Sequence, residues 1–297
     1  MHGETLSNPV TEPATSRFRN PEDGRLRAGW RILGFLAIFY AIALPAVFGL
    51  RELLQFTKSS PLVVVIIAVT ATPAVYLARR WFDKKSFVSL GLRFDKLAVA
   101  DLIFGLFLSG VMAGAVFLAM WSLGYIGNVH IALSGEAALQ ALAFALLMMA
   151  FVGFWEELVF RGYLLQNMAE GLGMNKAILI SCLLYGLVHS ANPNATLLSS
   201  GIIILFGYLR IYGYLSTGQL WLSIGMHTGW NFFQATVFGY AASGHAEEAT
   251  LIAHDSQAAN WLSGGQFGPE GSVLMIPVVL LALFAMRFWS RNRRSVD

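Results

Sequence analysis

Apolar windows of membrane-crossing length alternate along the chain with short polar connectors, and the windows predict helices. About 20 apolar residues are needed to cross a hydrocarbon core about 30 Å thick, because an α-helix rises about 1.5 Å per residue. Ile32 to Leu50 and Ser59 to Ala78 are the first two windows, and Leu97 to Leu123 is the third, broken only by Asp101 near its start. Ala137 to Gln166 is the fourth, and it carries Glu156, Glu157 and Arg161 before its apolar pattern ends. Ala177 to Ser190 is the fifth, closed by the turn sequence Asn192-Pro193-Asn194. Leu197 to Leu215, Leu220 to Tyr240 and Val273 to Trp289 complete the set. The expected fold class is all-α: a polytopic membrane helix bundle of about eight transmembrane helices.

Composition agrees, since the 297 residues are 56% hydrophobic and 12% charged, about half the charge of a soluble domain. Charge placement then orients the bundle, because basic connectors stay on the cytoplasmic side. With both termini on that side, all the basic residues except Arg51 and Lys58 fall there. The long connector Ala241 to Gly271 holds acids and no Lys or Arg, as an outer loop should. A net charge of +3 is explained by this bias, so no nucleic-acid partner is expected; the expected surroundings are a lipid bilayer, that of the cell (plasma) membrane. Residues 1–29 contain Pro9, Pro13 and Pro21 and no apolar run, which reads as a disordered cytoplasmic tail. A cleavable signal would place its apolar region nearer the start, so the first span is expected to stay as an anchor. Residues 30–290 form the expected membrane domain and 291–297 a basic cytoplasmic tail. Cys182 is the sole cysteine, which rules out an intrachain disulfide and suits packing.

The chemistry lies in the second half. Ionisable groups at membrane depth cost on the order of 2.5 to 3.5 kcal/mol each, so unpaired ones are seldom idle. In FWEELVFRGYLL, Glu157 and Arg161 are four residues apart and share a helix face, whereas Glu156 lies about 140° around the helix from Arg161. Glu157 and Arg161 are thus the expected supporting ion pair, and Glu156 is left to act as a general base or acid. Tyr185 with His189, and His227 with Asn231, are further pairs at the same spacing. Glu156 and His189 each lie roughly 20 Å from the loop joining their helices, hence level with one another. His227 follows the polar stretch Ser216–Gln219 by about 12 Å, so its helix must start deeper. Alone, Glu157 with Arg161 reads as structural and a lone membrane histidine as a helix–helix hydrogen bond; together they point to a site. Asp101, Arg210, His130, His245 and His254 read as solvated or interfacial, and Trp221 and Trp289 as belt residues.

The ordered set EExxxR, aromatic-xxx-His and HxxxN on successive membrane helices resembles the CPBP (CAAX protease and bacteriocin-processing, Abi) family of intramembrane proteases, over roughly Phe87 to Phe233. Ser89-Leu90-Gly91-Leu92-Arg93 and Thr217-Gly218-Gln219-Leu220-Trp221 are similar to two further family segments. Tyr185 stands where the family usually has Phe, and Gln219 where Ser is common; neither is expected to touch a catalytic group. The resemblance implies endoproteolysis of a membrane peptide or protein substrate, CAAX-type or linked to bacteriocin processing or self-immunity. Glu156 and His189 would activate water, and His227 with Asn231 would stabilise the oxyanion. Glu156, His189 and His227 could instead hold zinc with water as fourth ligand, although no HExxH helix fixes that geometry; a metal-free glutamate mechanism uses the same residues. The alternatives are a proton-coupled transporter, for which no inverted repeat is visible, and a non-catalytic peptide-binding immunity protein.

Overall fold

The structure, a computed structural model, describes residues 17–55, 61–247 and 249–293. Each apolar window has become a helix: α1 Ala28–Leu54, α2 Pro61–Trp81, α3 Lys96–Ser122, α4 Gly135–Leu172, α5 Met174–His189, α6 Leu197–Thr217, α7 Trp221–Asn231 and α8 Met275–Asn292. The chain is an all-α membrane helix bundle. Helices α1, α2, α3, α4 and α6 are long and apolar enough to cross a membrane, while α5, α7 and α8 are shorter. Two helices depart from plain α geometry, α4 at a π-helical turn over Leu158–Leu164 and α7 in a π-helical continuation over Phe232–Val237.

Helix α7 is the buried centre, packed chiefly against α3 and α4. Its close approach to α3 rests on glycine. A Cβ on Gly225 would run into the Leu102 carbonyl, and one on Gly105 would lie 2.6 Å from the Leu222 oxygen. Membrane helices lacking a hydrophobic force between them associate through such backbone contact. Ser109 Oγ adds a hydrogen bond to the Met226 carbonyl at 2.8 Å.

The start of α7 is fixed by a segment that precedes α3. The turn Phe87–Leu90 and Gly91 reach over to residues 217–221: Leu220 N donates to Gly91 O at 2.8 Å, Arg93 N to Gln219 Oε1 at 3.1 Å, and Trp221 Nε1 to Arg93 O at 2.8 Å. Gly91 has φ 101° and an added Cβ would meet Leu220 N at 3.2 Å, so the sequence needs glycine there on both counts. The two motif segments are one hydrogen-bonded structure.

Several expectations are corrected. Residues 17–27, read as part of a disordered tail, are folded: Arg19 bridges Leu26, and Arg25 pairs with Asp23 and Glu170. An ionic cluster accounts for this, with Glu170 also meeting Arg31 and Lys85, and buried Asp83 meeting Arg31 at 3.1 Å and Arg79 at 2.8 Å. The remaining residues of that tail, 1–16, lie outside the described residues. The C-terminal segment read as a tail continues α8 to Asn292, and Arg293 Nη2 meets Asp101 at 2.7 Å; residues 294–297 lie outside the described set. Asp101 is therefore buried and paired rather than interfacial. Trp289, read as a belt residue, stacks on Phe104 at 4.3 Å and donates to Asp101 at 2.9 Å. His254, expected to be solvated, packs on Phe117 and Tyr240 in β2 (Ile252–Ser256), which pairs antiparallel with β1 (Ile126–Ile131). His130 and His245 are exposed, as expected.

Candidate active site

Four helices converge on one buried polar cluster. Helix α4 delivers Glu156 and Glu157 just before its π turn, and Arg161 within it. The i, i+4 pair forms as the spacing requires: Arg161 Nη1 donates to Glu157 Oε1 at 3.1 Å, with both side chains buried. Arg161 Nη2 also reaches the Gly207 carbonyl of α6 at 3.3 Å.

Glu157 Oε1 takes a second contact, from His227 Nδ1 of α7 at 2.9 Å. An ionised carboxylate can only accept, so it fixes the proton on Nδ1 and turns Nε2 toward the site. That Nε2 lies 3.8 Å from Glu156 Oε2. Glu157 is 0% exposed and Glu156 13% exposed, so only the latter opens toward an incoming molecule. Asn231 stands one turn beyond His227 and is half-buried.

Tyr185 of α5 joins the two halves of the cluster. Its hydroxyl donates to Glu156 Oε2 at 3.0 Å, and its backbone carbonyl accepts from His189 Nδ1 at 2.9 Å. The expectation that Tyr185 touches no catalytic group is therefore wrong for the residues proposed here. Gln219 does keep its distance, serving the α7 start instead.

Arg210 is the residue that sequence reasoning misplaced. Read as interfacial, it is 2% exposed, hydrogen-bonded through Nη1 to the Tyr185 hydroxyl and 3.9 Å from Glu157 Oε1. It makes the cluster electrically even, two carboxylates against two guanidinium groups, as burial at this depth demands. The available signal was an arginine inside an otherwise uncharged window opposite a glutamate with no cation of its own.

The structure thus brings Glu156, Glu157, Arg161 and His227 into direct contact and connects His189 to them through Tyr185. Both histidines have Nδ1 committed and Nε2 free, the tautomer a metal ligand or a base needs. Yet among the described residues no three His, Cys, Asp or Glu side chains stand at spacings that could hold a metal ion. Glu156, His189 and His227 as arranged do not fit a zinc site.

Residues 138–233 match the model of a family described as type II CAAX prenyl endopeptidase Rce1-like. The CPBP resemblance is borne out. All of the cluster, from Glu156 to His227, lies inside the matched segment, as does Asn231. The chain is also 29% identical over 217 residues, covering 69% of its own length and 72% of the relative's, to the uncharacterized protein YyaK of Bacillus subtilis (strain 168). The Rce1-like match supports an intramembrane endopeptidase acting on a membrane-associated peptide or protein.

Proposed function

We propose that the chain is a glutamate-type intramembrane endopeptidase in which Glu156 with His189 activates water and His227 with Asn231 stabilises the oxyanion. The observation that carries this is the position of Glu156. It is the one carboxylate of the cluster that is partly open, and it lies between the Tyr185 hydroxyl and His227 Nε2. Amide hydrolysis needs a base for water and donors aimed at the developing negative oxygen. Glu156 takes the water proton, and His189, with Nδ1 tied to the Tyr185 carbonyl, turns Nε2 to the same water. Collapse of the tetrahedral intermediate returns the proton from Glu156 to the leaving amine. In the tautomer that Glu157 holds, His227 Nε2 carries no proton, so to donate to the oxyanion it must first take one from solvent; Asn231 adds its amide N–H, which needs no such step.

The substrate that suits this site is a lipid-anchored peptide, of the CAAX type or a bacteriocin precursor, presented from the side to which the basic connectors assign both termini. The test is cleavage of prenylated and unprenylated membrane peptides by protein reconstituted in liposomes, read by mass spectrometry. Wild type should release a defined fragment and Glu156→Gln should not. Equal cleavage by the two would end the proposal, and loss of activity only without the prenyl group would select the CAAX substrate.

A further inference from the structure

Arg210 has no acidic residue on its own helix, and its charge is spent on other elements. Nη1 donates to the Tyr185 hydroxyl oxygen, Nε lies 3.9 Å from Glu157 Oε1, and the guanidinium sits over the Tyr185 ring at 5.4 Å. A guanidinium carries donors only. The Tyr185 oxygen must therefore accept from Arg210, which leaves its single proton for Glu156 Oε2 at 3.0 Å. Donor chemistry alone fixes this direction. Glu156 Oε2 is consequently an acceptor already in use, and it is also the oxygen facing His227 Nε2 at 3.8 Å.

The tyrosine ring is held on several sides. The Arg161 guanidinium lies 4.4 Å from its centroid, Phe160 meets it edge-on at 5.2 Å, and the His189 ring is 4.3 Å away. The side chain is 1% exposed, so the hydroxyl has one place to be. Its backbone carbonyl meanwhile takes the His189 Nδ1 proton. One residue thus orients both groups that would share the water.

We propose that Tyr185 is a positioning residue: it relays the charge of Arg210 to Glu156 Oε2, locks the carboxylate rotamer and leaves Oε1 as the atom that receives the water proton. This rests on the reading of Glu156 as the base. It also gives a role to a hydroxyl that the CPBP pattern, with phenylalanine usual at this position, does not supply. A lost hydrogen bond to a charged group corresponds to roughly 10- to 100-fold in rate when it acts in the transition state.

The experiment compares full-length wild type with Tyr185→Phe, Arg210→Met and the double variant, reconstituted with a lipid-anchored peptide. Tyr185→Phe should lower kcat by about tenfold or more with KM within about twofold, and the double variant should be no worse than the poorer single one, because the two side chains act as a unit. An unchanged kcat, a change confined to KM, or losses that multiply would overturn the relay. A measurement independent of turnover accompanies it: the infrared carboxylate band that disappears in Glu156→Gln should shift in Tyr185→Phe. A shifted band in a protein that cleaves nothing retains the relay and removes the peptidase reading. An unshifted band rejects the relay whatever the activity, and this holds even if Arg210→Met fails to fold.

Discussion

Removing Arg161 should unfold the site, whereas neutralising Glu156 should only silence it. Arg161 gives Glu157 its 3.1 Å charge-assisted hydrogen bond and the Gly207 carbonyl a donor at 3.3 Å. In Arg161→Ala, Glu157 keeps His227 Nδ1 and a more distant Arg210 at 3.9 Å, and its Oε2 already lacks a hydrogen-bond partner. Breaking a buried pair by removing one partner costs about 3 to 5 kcal/mol. The Gly207 carbonyl lies inside α6 and keeps its helical hydrogen bond, so the loss of its second donor adds little. Against a total stability of about 5 to 15 kcal/mol, the variant should accumulate poorly. Glu156→Gln keeps the shape and an oxygen for the Tyr185 hydroxyl, at the partly open edge of the cluster, so it should lose less stability than Arg161→Ala. Unfolding in mixed micelles with increasing denaturing detergent, alongside membrane accumulation, measures both. Arg161→Ala as stable as wild type, or Glu156→Gln less stable than Arg161→Ala, would refute the division of labour between the adjacent glutamates.

Gly225→Ala should lower stability by about 1 to 3 kcal/mol through overpacking, since its Cβ would meet the Leu102 carbonyl; an unchanged unfolding midpoint would show that α3 and α7 have room to separate. Chelation should leave turnover of purified protein unchanged, because Glu156, His189 and His227 are not spaced to hold an ion; activity lost to chelator and restored by zinc would show that they close on one. Burial pushes the imidazole of His254, in β2, below the ordinary histidine range. Below about pH 6.5 the unfolded chain takes a proton that the folded two-stranded sheet resists, so His254 adds stability above that pH and subtracts it as pH falls. The unfolding temperature should accordingly drop between pH 7.5 and 5.5 less steeply in His254→Phe than in wild type, and parallel profiles would contradict this.

What the sequence made legible was everything set by local spacing. Each apolar window became a helix, and the four-residue step from Glu157 to Arg161 produced the buried pair. Contacts between distant segments were not legible. Arg210 was placed by its nearness to a window's end, while its partners sit on α4 and α5. Asp101 resembles an interfacial acid in sequence because its cation, Arg293, stands just past the last helix. The turn that opens α7 was not legible either, because its partners Gly91 and Arg93 stand before α3. The two-stranded sheet joins segments that α4 to α7 separate in the chain, and neither strand alternates strongly enough to announce it.

The π turn over Leu158–Leu164 makes α4 a helix with two phases. Its first half aims Glu156 and Glu157 at α5 and α7, and its second half aims Asn167 and Glu170 at Asp83, Arg31 and Lys85. Such turns accommodate a residue beyond the α-helical repeat and often accompany functional sites. Excising one residue there would turn one half by about 100° against the other, so only one set of partners could be kept. A single-residue deletion within Leu158–Leu164 should therefore lose either cleavage or accumulation, even though every charged side chain of both clusters outside the turn is still present. The length of this segment, more than the identity of its apolar residues, is what keeps both sets of partners in place at once.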